Sequence, residues 1–330
     1  MFRNSRSYLG YILLTSSEVG MEVRVASSTG HQTALALLPD EAEVPVSTIP
    51  AVNVATVPQR SPLRYPGGKT WLIPHIRVWL ASRTAPTPLL VEPFAGGGIV
   101  SLTAVMEELA DRALMVELDA DVAAFWQAAL SNATELITQL RAFEPSRDRI
   151  HALSSTTPAD TLERGFRTLV LNRVRRGGIL APGASLSRIG ENGKGLRSRW
   201  YPETLAKRLE AIRTHACRID FQADDGMSVL QGLDSDTLRN TALFIDPPYT
   251  AAGKKAGSRL YAHHSLDHEA LFSFLAECDA DFLMTYDYNK ETLRLARNHD
   301  FHVVQVLMKN THHAKISELV ITRRRLFERV

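Results

Sequence analysis

Beyond residue 60 the chain alternates short unbroken apolar runs with longer stretches in which apolar residues recur every three or four positions. The first pattern predicts strands buried on both faces, and the second predicts amphipathic helices. Leu89-Leu90-Val91-Glu92 reads as a strand ending in a glycine-rich turn, and Ile99 to Leu109 follows as a helix. Ala113 to Glu117 is the next predicted strand and Asp121 to Arg141 a long helix. Farther on, Ala242-Leu243-Phe244-Ile245 is a strand that runs into Asp246, His268 to Glu277 is helical, and Asp281 to Tyr286 is a strand. Glu291 to Asn298 is again helical, and Val303 to Met308 with Glu318 to Thr322 form a closing β-hairpin. Alternation of this kind predicts an α/β fold, a parallel sheet covered on both faces.

Two stretches break the rhythm. Residues 1–60 lack a clear period and are punctuated by Pro39, Pro45, Pro50 and Pro58. They are expected to form a poorly ordered extension with one short strand near Met21 to Ala26, the organised domain beginning near Ser61. Residues 164–218 contain Gly177-Gly178, Pro182-Gly183 and the glycine-rich run from Gly190 to Gly195. The pattern therefore predicts an α/β domain in two segments, 61–142 and 219–330, with 143–218 inserted as a domain of helices and loops. No internal repeat is present.

The turn Glu92-Pro93-Phe94-Ala95-Gly96-Gly97-Gly98 stands where a strand hands over to a helix. Glycines there let a ligand approach the backbone closely, and the helix amino terminus adds amide donors. Glu117 closes the following strand, where an acid accepts hydrogen bonds from a ribose. Together they predict a nucleoside cofactor lying across the strand ends. A dinucleotide site wants a further glycine for tight helix packing, and Ser101 occupies that place. S-adenosylmethionine, which has no pyrophosphate, fits better than NAD. A second glycine turn, Leu63-Arg64-Tyr65-Pro66-Gly67-Gly68-Lys69, precedes the amphipathic segment Thr70 to Leu80. It reads either as a helix start or as a wall of the cofactor pocket, with Lys69 facing a carboxylate and Tyr65 packing nearby.

Asp246-Pro247-Pro248-Tyr249 follows a buried strand directly. Two prolines stiffen the turn and remove two amide donors, leaving carbonyl oxygens and the Asp246 carboxylate as acceptors. An arylamine is a poor nucleophile because its lone pair is delocalised into the ring. Accepting both of its hydrogens, by Asp246 and the Pro247 carbonyl, favours a pyramidal nitrogen able to attack a sulfonium methyl group. Tyr249 supplies a flat face for a base that has left the duplex stack.

Charge adds the partner. The 330-residue chain carries a net charge of only +2. Residues 164–218, however, hold 13 Arg and Lys against the three acids Glu191, Glu203 and Glu210, a net of +10 inside a body of net −8. A basic segment without matching acids is the footprint of a nucleic-acid binder. Arg173, Arg175, Arg176, Lys194, Arg197 and Arg199 are the candidate DNA contacts, most of them to phosphates. The two cysteines, Cys217 and Cys278, show no paired spacing, which predicts a reducing, cytoplasmic setting without a zinc site. The pairs His263-His264 and His312-His313 lack a carboxylate or cysteine at ligand spacing, so no metal is expected. No apolar run reaches the ~20 residues of a membrane span.

The motifs RYPGGK (64–69), VEPFAGGG (91–98), VELDAD (116–121), DPPY (246–249) and the closing NTHHAKISELVI (310–321) resemble the Dam-like family of DNA adenine methyltransferases, in the order of its alpha group. The resemblance covers about residues 61 to 323. It implies a Rossmann-like S-adenosylmethionine-dependent methyltransferase sheet with an inserted DNA-recognition domain, acting on duplex DNA as a monomer, with or without a cognate restriction endonuclease. It implies cofactor contacts from Tyr65, Gly67, Gly68, Lys69, Glu92, Phe94, Gly96, Gly98, Glu117 and Asp225, with Asp224 as the alternative to Asp225. Catalysis falls to Asp246, Pro247, Pro248 and Tyr249. Glu117 stands where many relatives have Asp, and residues 1–60 have no counterpart. Tyr261, His263, His264 and Asp267 would form a loop over the flipped base. Tyr286-Asp287 either shapes the base pocket or caps its turn. The rival readings are methylation of cytosine's exocyclic amine or of RNA, and a DNA-binding relative without catalysis.

Overall fold

The computed structural model describes residues 12–17, 20–26 and 32–36 as backbone, and residues 44–65, 67–181, 184–187, 193–248, 266–309 and 315–328. The chain divides into two units, Met1–Pro45 and Val46–Val330. In the first, β1 (Ile12–Ser17), β2 (Gly20–Ala26) and β3 (Gln32–Ala36) form an antiparallel sheet in that order. Val25 lies opposite Ile12 on one side and Thr33 on the other. The sequence predicts only the middle strand. Gln32-Thr33-Ala34-Leu35-Ala36 is poor in the β-branched and aromatic residues that mark a strand.

The second unit is built on seven strands: β4 (Leu89–Glu92), β5 (Arg112–Val116), β6 (Ile219–Gln222), β7 (Thr241–Ile245), β8 (Asp281–Asp287), β9 (His302–Lys309) and β10 (Lys315–Thr322). Their order is β6-β5-β4-β7-β8-β10-β9. The first five are mutually parallel, and β10 runs antiparallel between β8 and β9, with Leu319 opposite both Tyr286 and Gln305. This is a Rossmann-like order completed by the predicted C-terminal hairpin. Every residue of β7 is buried, as a central strand of a covered parallel sheet requires. Because the chain leaves β4 toward β5 and later returns to β7 on the other side, a crevice opens outside the carboxyl ends of β4, β5 and β7.

The organised unit begins earlier than Ser61. Val46 bridges to Gln305, Thr48 N–H donates to Phe327 O at 2.8 Å, and Val57 is buried. These partners lie far away in sequence, so no local period betrays them. The helices are α1 (Ile73–Ala81), α2 (Ile99–Met106), α3 (Ala120–Ser131), α4 (Ala133–Ala142), α5 (Arg147–Ser155), α6 (Thr161–Val174), α7 (Pro202–His215), α8 (Gly226–Gly232), α9 (Ser235–Asn240), α10 (His268–Glu277) and α11 (Lys290–Asn298). The long helix expected from Asp121 to Arg141 is broken at Asn132, whose φ −128° and ψ 35° are not helical. Asparagine competes with helix by bonding to nearby backbone, which favours a break there.

Residues 143–218 supply α5, α6 and α7, and these belong to the same compact unit as the sheet. Helix α6 packs along α3, and α7 along α4. The crossing of α3 and α6 is close at Gly165, where a Cβ would stand 2.6 Å from Ala124 O. Phe166, Leu169, Val170 and Val174 are buried on that face. The basic segment is thus amphipathic, with one face in the core.

Asn172, fully buried in α6, joins this segment to the turn at Arg64. Its Oδ1 accepts from Arg64 N at 2.7 Å, and its Nδ2 donates to Arg64 O at 2.9 Å and Gly178 O at 2.8 Å. Asn172→Ala should therefore lower the free energy of unfolding by about 3 kcal/mol, since it strands one buried and two part-buried backbone groups. Urea denaturation followed by circular dichroism measures this, and a loss below about 1 kcal/mol would contradict the tie.

Candidate active site

The turn after β4 carries the first group of site residues. Glu92 ends the strand and points inward, its Oε2 accepting from Ser101 N at 3.0 Å and Ser101 Oγ at 2.5 Å. Ser101, which displaces a dinucleotide-type glycine, thus has a task of its own. Burial pushes the Glu92 carboxyl up to about 8 against the pull of the two Ser101 donors, with Asp246 and Glu117 adding to the rise. Gly96 and Gly98 have φ of +47° and +61°, the left-handed region that side chains avoid. Space forbids a side chain as well. A Cβ on Gly96 would stand 2.6 Å from the Tyr65 ring, and one on Gly98 would stand 2.5 Å from Met115 Cε. Tyr65 therefore lies directly over the glycine turn, and Trp126 Nε1 holds the turn from behind by donating to Gly96 O at 2.9 Å.

Glu117 follows β5 and is also buried. Its Oε2 accepts from Gly96 N at 2.9 Å and its Oε1 from Asp119 N at 2.8 Å. Burial raises its pKa to about 7, opposed by these amide donors. The β4 and β5 turns are thereby clamped together by one carboxylate.

Lys69 opens a short 3-10 turn, Lys69–Leu72, that leads into α1. Its ammonium is 2% exposed and touches Asp246 Oδ1 at 2.8 Å and Glu318 Oε2 at 3.5 Å. It also donates to Gly67 O at 2.8 Å. Burial alone would lower its pKa, but Asp246 and Glu318 outweigh it and hold Lys69 above the usual lysine value. Asp246 Oδ1 accepts a second bond from Thr285 Oγ1 at 2.8 Å. Two donors on one oxygen fix the orientation of this carboxylate.

One cleft gathers most of the residues singled out from sequence. Tyr65, Gly68, Lys69, Glu92, Phe94, Gly96, Gly98, Glu117, Asp225, Asp246, Pro247 and Pro248 all line it. Gly67 stays outside the lining and contributes its carbonyl to Lys69. Between the two aspartates, Asp225 lines the cleft while capping α8 through Ser228 N at 2.8 Å, and Asp224 accepts from Asp225 N at 2.7 Å. Tyr249, Tyr261, His263 and His264 lie outside the described residues, as do His312 and His313. Asp267 caps α10 by accepting from Ala270 N at 3.0 Å. Tyr286 is a core residue, packed against Phe272 and hydrogen-bonded to His268 Nδ1 at 2.7 Å. The cap on the following turn is Asn289, which accepts from Thr292 N at 2.8 Å.

The candidate DNA contacts separate into two groups. Arg173 is 6% exposed and donates to Arg199 O at 2.9 Å and Pro62 O at 3.5 Å. Burial, with Arg64, Arg208 and Arg199 nearby, pulls its pKa down to about 9. In this structure it is a strut of the fold, held by backbone carbonyls. Arg175 is half-buried and donates to Leu180 O at 2.8 Å. Arg176 and Lys194 are exposed, and Arg197 is exposed while paired with Glu144 at 2.9 Å. Arg199 is half-buried.

Two site residues escape the sequence reading. Thr285 carries no signal of its own. Glu318 does, since it is a charged residue directly before the apolar run Leu319-Val320-Ile321, and buried acids are rare unless paired. Among the described residues no group of three or more His, Cys, Asp and Glu side chains could hold a metal, and no helix is long and apolar enough to cross a membrane.

Residues 65–156 match the family described as D12 class N6 adenine-specific DNA methyltransferase, in agreement with the Dam-like motifs. The match supports an adenine-specific DNA methyltransferase enzyme. Among solved structures the chain is similar to the rRNA methyltransferase aviRa from Streptomyces viridochromogenes, at 14% identity and a TM-score of 0.33, over 83% of this chain and 86% of that one. No curated protein matches the chain.

The buried carboxyls make stability sensitive to pH. Folded Glu92 keeps its proton up to about pH 8, whereas the ordinary value is 4.5. Its contribution to stability is therefore complete below 4.5 and is lost as pH rises through 8. Glu92→Gln retains an acceptor for Ser101 and removes the titration. Its unfolding free energy should decline less across that window than the wild type's in urea denaturation, and parallel curves would refute the assignment.

Proposed function

We propose that this protein, which carries a D12 class N6 adenine-specific DNA methyltransferase match over residues 65–156, transfers a methyl group from S-adenosylmethionine to the exocyclic amine of adenine at a specific site in duplex DNA. The observation that carries this reading is the place of Asp246. It stands at the carboxyl end of β7, in the cleft also lined by Gly96, Gly98 and Glu117.

The cleft suits the cofactor. The positive-φ turn at Gly96 and Gly98 is a cradle that a Cβ would fill. Glu117 is the acceptor for ribose hydroxyls and Asp225 for the adenine amine, while Tyr65 and Phe94 offer aromatic surface. The cofactor's cationic character matches a cleft containing Glu117 and Asp246. When bound, S-adenosylmethionine supplies an electrophilic methyl group. The protein's part is to hold the amine. Asp246, oriented by Lys69 and Thr285, accepts one amine hydrogen and the Pro247 carbonyl accepts the other, which localises the nitrogen lone pair. Pro248 keeps the turn rigid, and Tyr249 is the stacking partner of a base flipped out of the helix. No covalent intermediate is needed, so no cysteine nucleophile is used.

The exposed Arg176 and Lys194 are the phosphate contacts of the inserted segment, with Arg197 drawn from Glu144 when DNA arrives. Phosphate contacts hold the protein on the duplex without reading it.

Incubation with duplex DNA and labelled cofactor, followed by digestion to nucleosides and mass spectrometry, identifies the product. N6-methyladenine is expected, and N4-methylcytosine or no product would overturn the reading. Asp246→Ala should reduce the transfer rate at least about a thousandfold while calorimetry still detects cofactor binding. Full activity in that variant would sink the mechanism. Arg176→Ala and Lys194→Ala should each weaken DNA binding evenly across sequences and reduce the slope of log affinity against log salt by about 1, measured by fluorescence anisotropy.

A further inference from the structure

Lys69 touches two carboxylates from different parts of the sheet, Asp246 after β7 at 2.8 Å and Glu318 on β10 at 3.5 Å. The chemistry above uses only the first. Glu318 is 8% exposed and lies opposite Asp287 on β8 and Val306 on β9. One ammonium cannot fully neutralise two carboxylates, the buried Glu318 and the partly exposed Asp246, so the field that Glu318 draws is withdrawn from Asp246.

We propose that Glu318 is a positioning residue for the amine-accepting Asp246 and acts on it through Lys69. The inference rests on the methyl-transfer reading. With Glu318 protonated, the Lys69 charge falls mainly on Asp246 and makes its carboxylate a weaker acceptor. With Glu318 ionised, Lys69 is shared, and Asp246 accepts the amine hydrogen more strongly. Among the described residues, the charged groups that act on Glu318 include Lys69, Asp246 and Asp287, and its neighbour on β9 is the apolar Val306. Burial first, and then Asp246 and Asp287, push Glu318 up to about 7 against the pull of Lys69. The change in sharing therefore falls near neutral pH.

The test is kcat against pH for the wild type and Glu318→Gln, with cofactor and duplex DNA saturating. Glu92 and Glu117 titrate in a similar range and are present in both proteins, so the difference between the profiles isolates Glu318. Wild-type kcat should rise through about pH 7. Glu318→Gln should stay on the low limb, close to the wild type at pH 6 and about tenfold slower at pH 8, with KM for both substrates unchanged. Superimposable profiles would overturn the proposal. If Glu318→Gln shows no cooperative melting, a wild-type kcat that is flat through pH 7 still refutes the role, and Glu318→Asp takes the place of Glu318→Gln in the comparison of profiles. Glu318→Asp, which restores a titrating carboxyl, should restore the rise, and a low, flat profile in it would count against the proposal. A wild type without transfer refutes the function and the role of Glu318 together, whereas an active wild type with coincident profiles refutes Glu318 alone.

Discussion

An ammonium group withdrawn from water loses several kcal/mol of hydration and keeps its charge only where anions and carbonyls replace the lost shell. Lys69 is in that position, and its replacement shell comes from three separate parts of the chain. Gly67 lends a carbonyl from its own turn, Asp246 a carboxylate from the end of β7, and Glu318 another from β10. The reactive strand end, the C-terminal hairpin and the turn that carries Tyr65 over the glycines are thus registered against one another by a single charge. The rest of the cleft follows from that registration. Tyr65 can cover Gly96 only if its turn is held down, and Asp246 can present a fixed carboxylate only if Lys69 and Thr285 occupy its Oδ1.

Much of this was legible in the sequence because the strands carrying the site are short, centred on unbroken apolar runs and followed by acids. β4 ends in Glu92, β5 runs into Glu117 and β7 runs into Asp246. A run of four or five buried residues followed by an acid can hardly be read another way, and the helix at His268 to Glu277 was equally plain. Illegible features depend on partners remote in sequence. The bridge from Val46 to Gln305 leaves no period in residues 46–60. β6, at Ile219–Gln222, alternates buried and open positions at the sheet's edge and shows no apolar run. Glu318 was visible as an oddity in a buried strand, but its meaning required the lysine about 250 residues earlier.

The basic segment shows how charge counting misleads one residue at a time. Its net of +10 is a property of the sequence, yet an arginine can serve the fold by reaching backbone carbonyls with its several donors. Arg173 and Arg175 do so, and Arg208 donates to Ser61 O at 2.8 Å. The exposed basic subset is smaller than the total suggests.

Helix α6 also bears on how the protein could be re-engineered. Asn172 holds the backbone of Arg64 on one side and of Gly178 on the other, and a Cβ on Gly178 would stand 2.2 Å from Arg64 O. The basic segment is therefore not a cassette. A swap that imported a relative's residues 143–218 would have to bring residues 61–65 with it, or the graft would meet a host turn shaped for another helix.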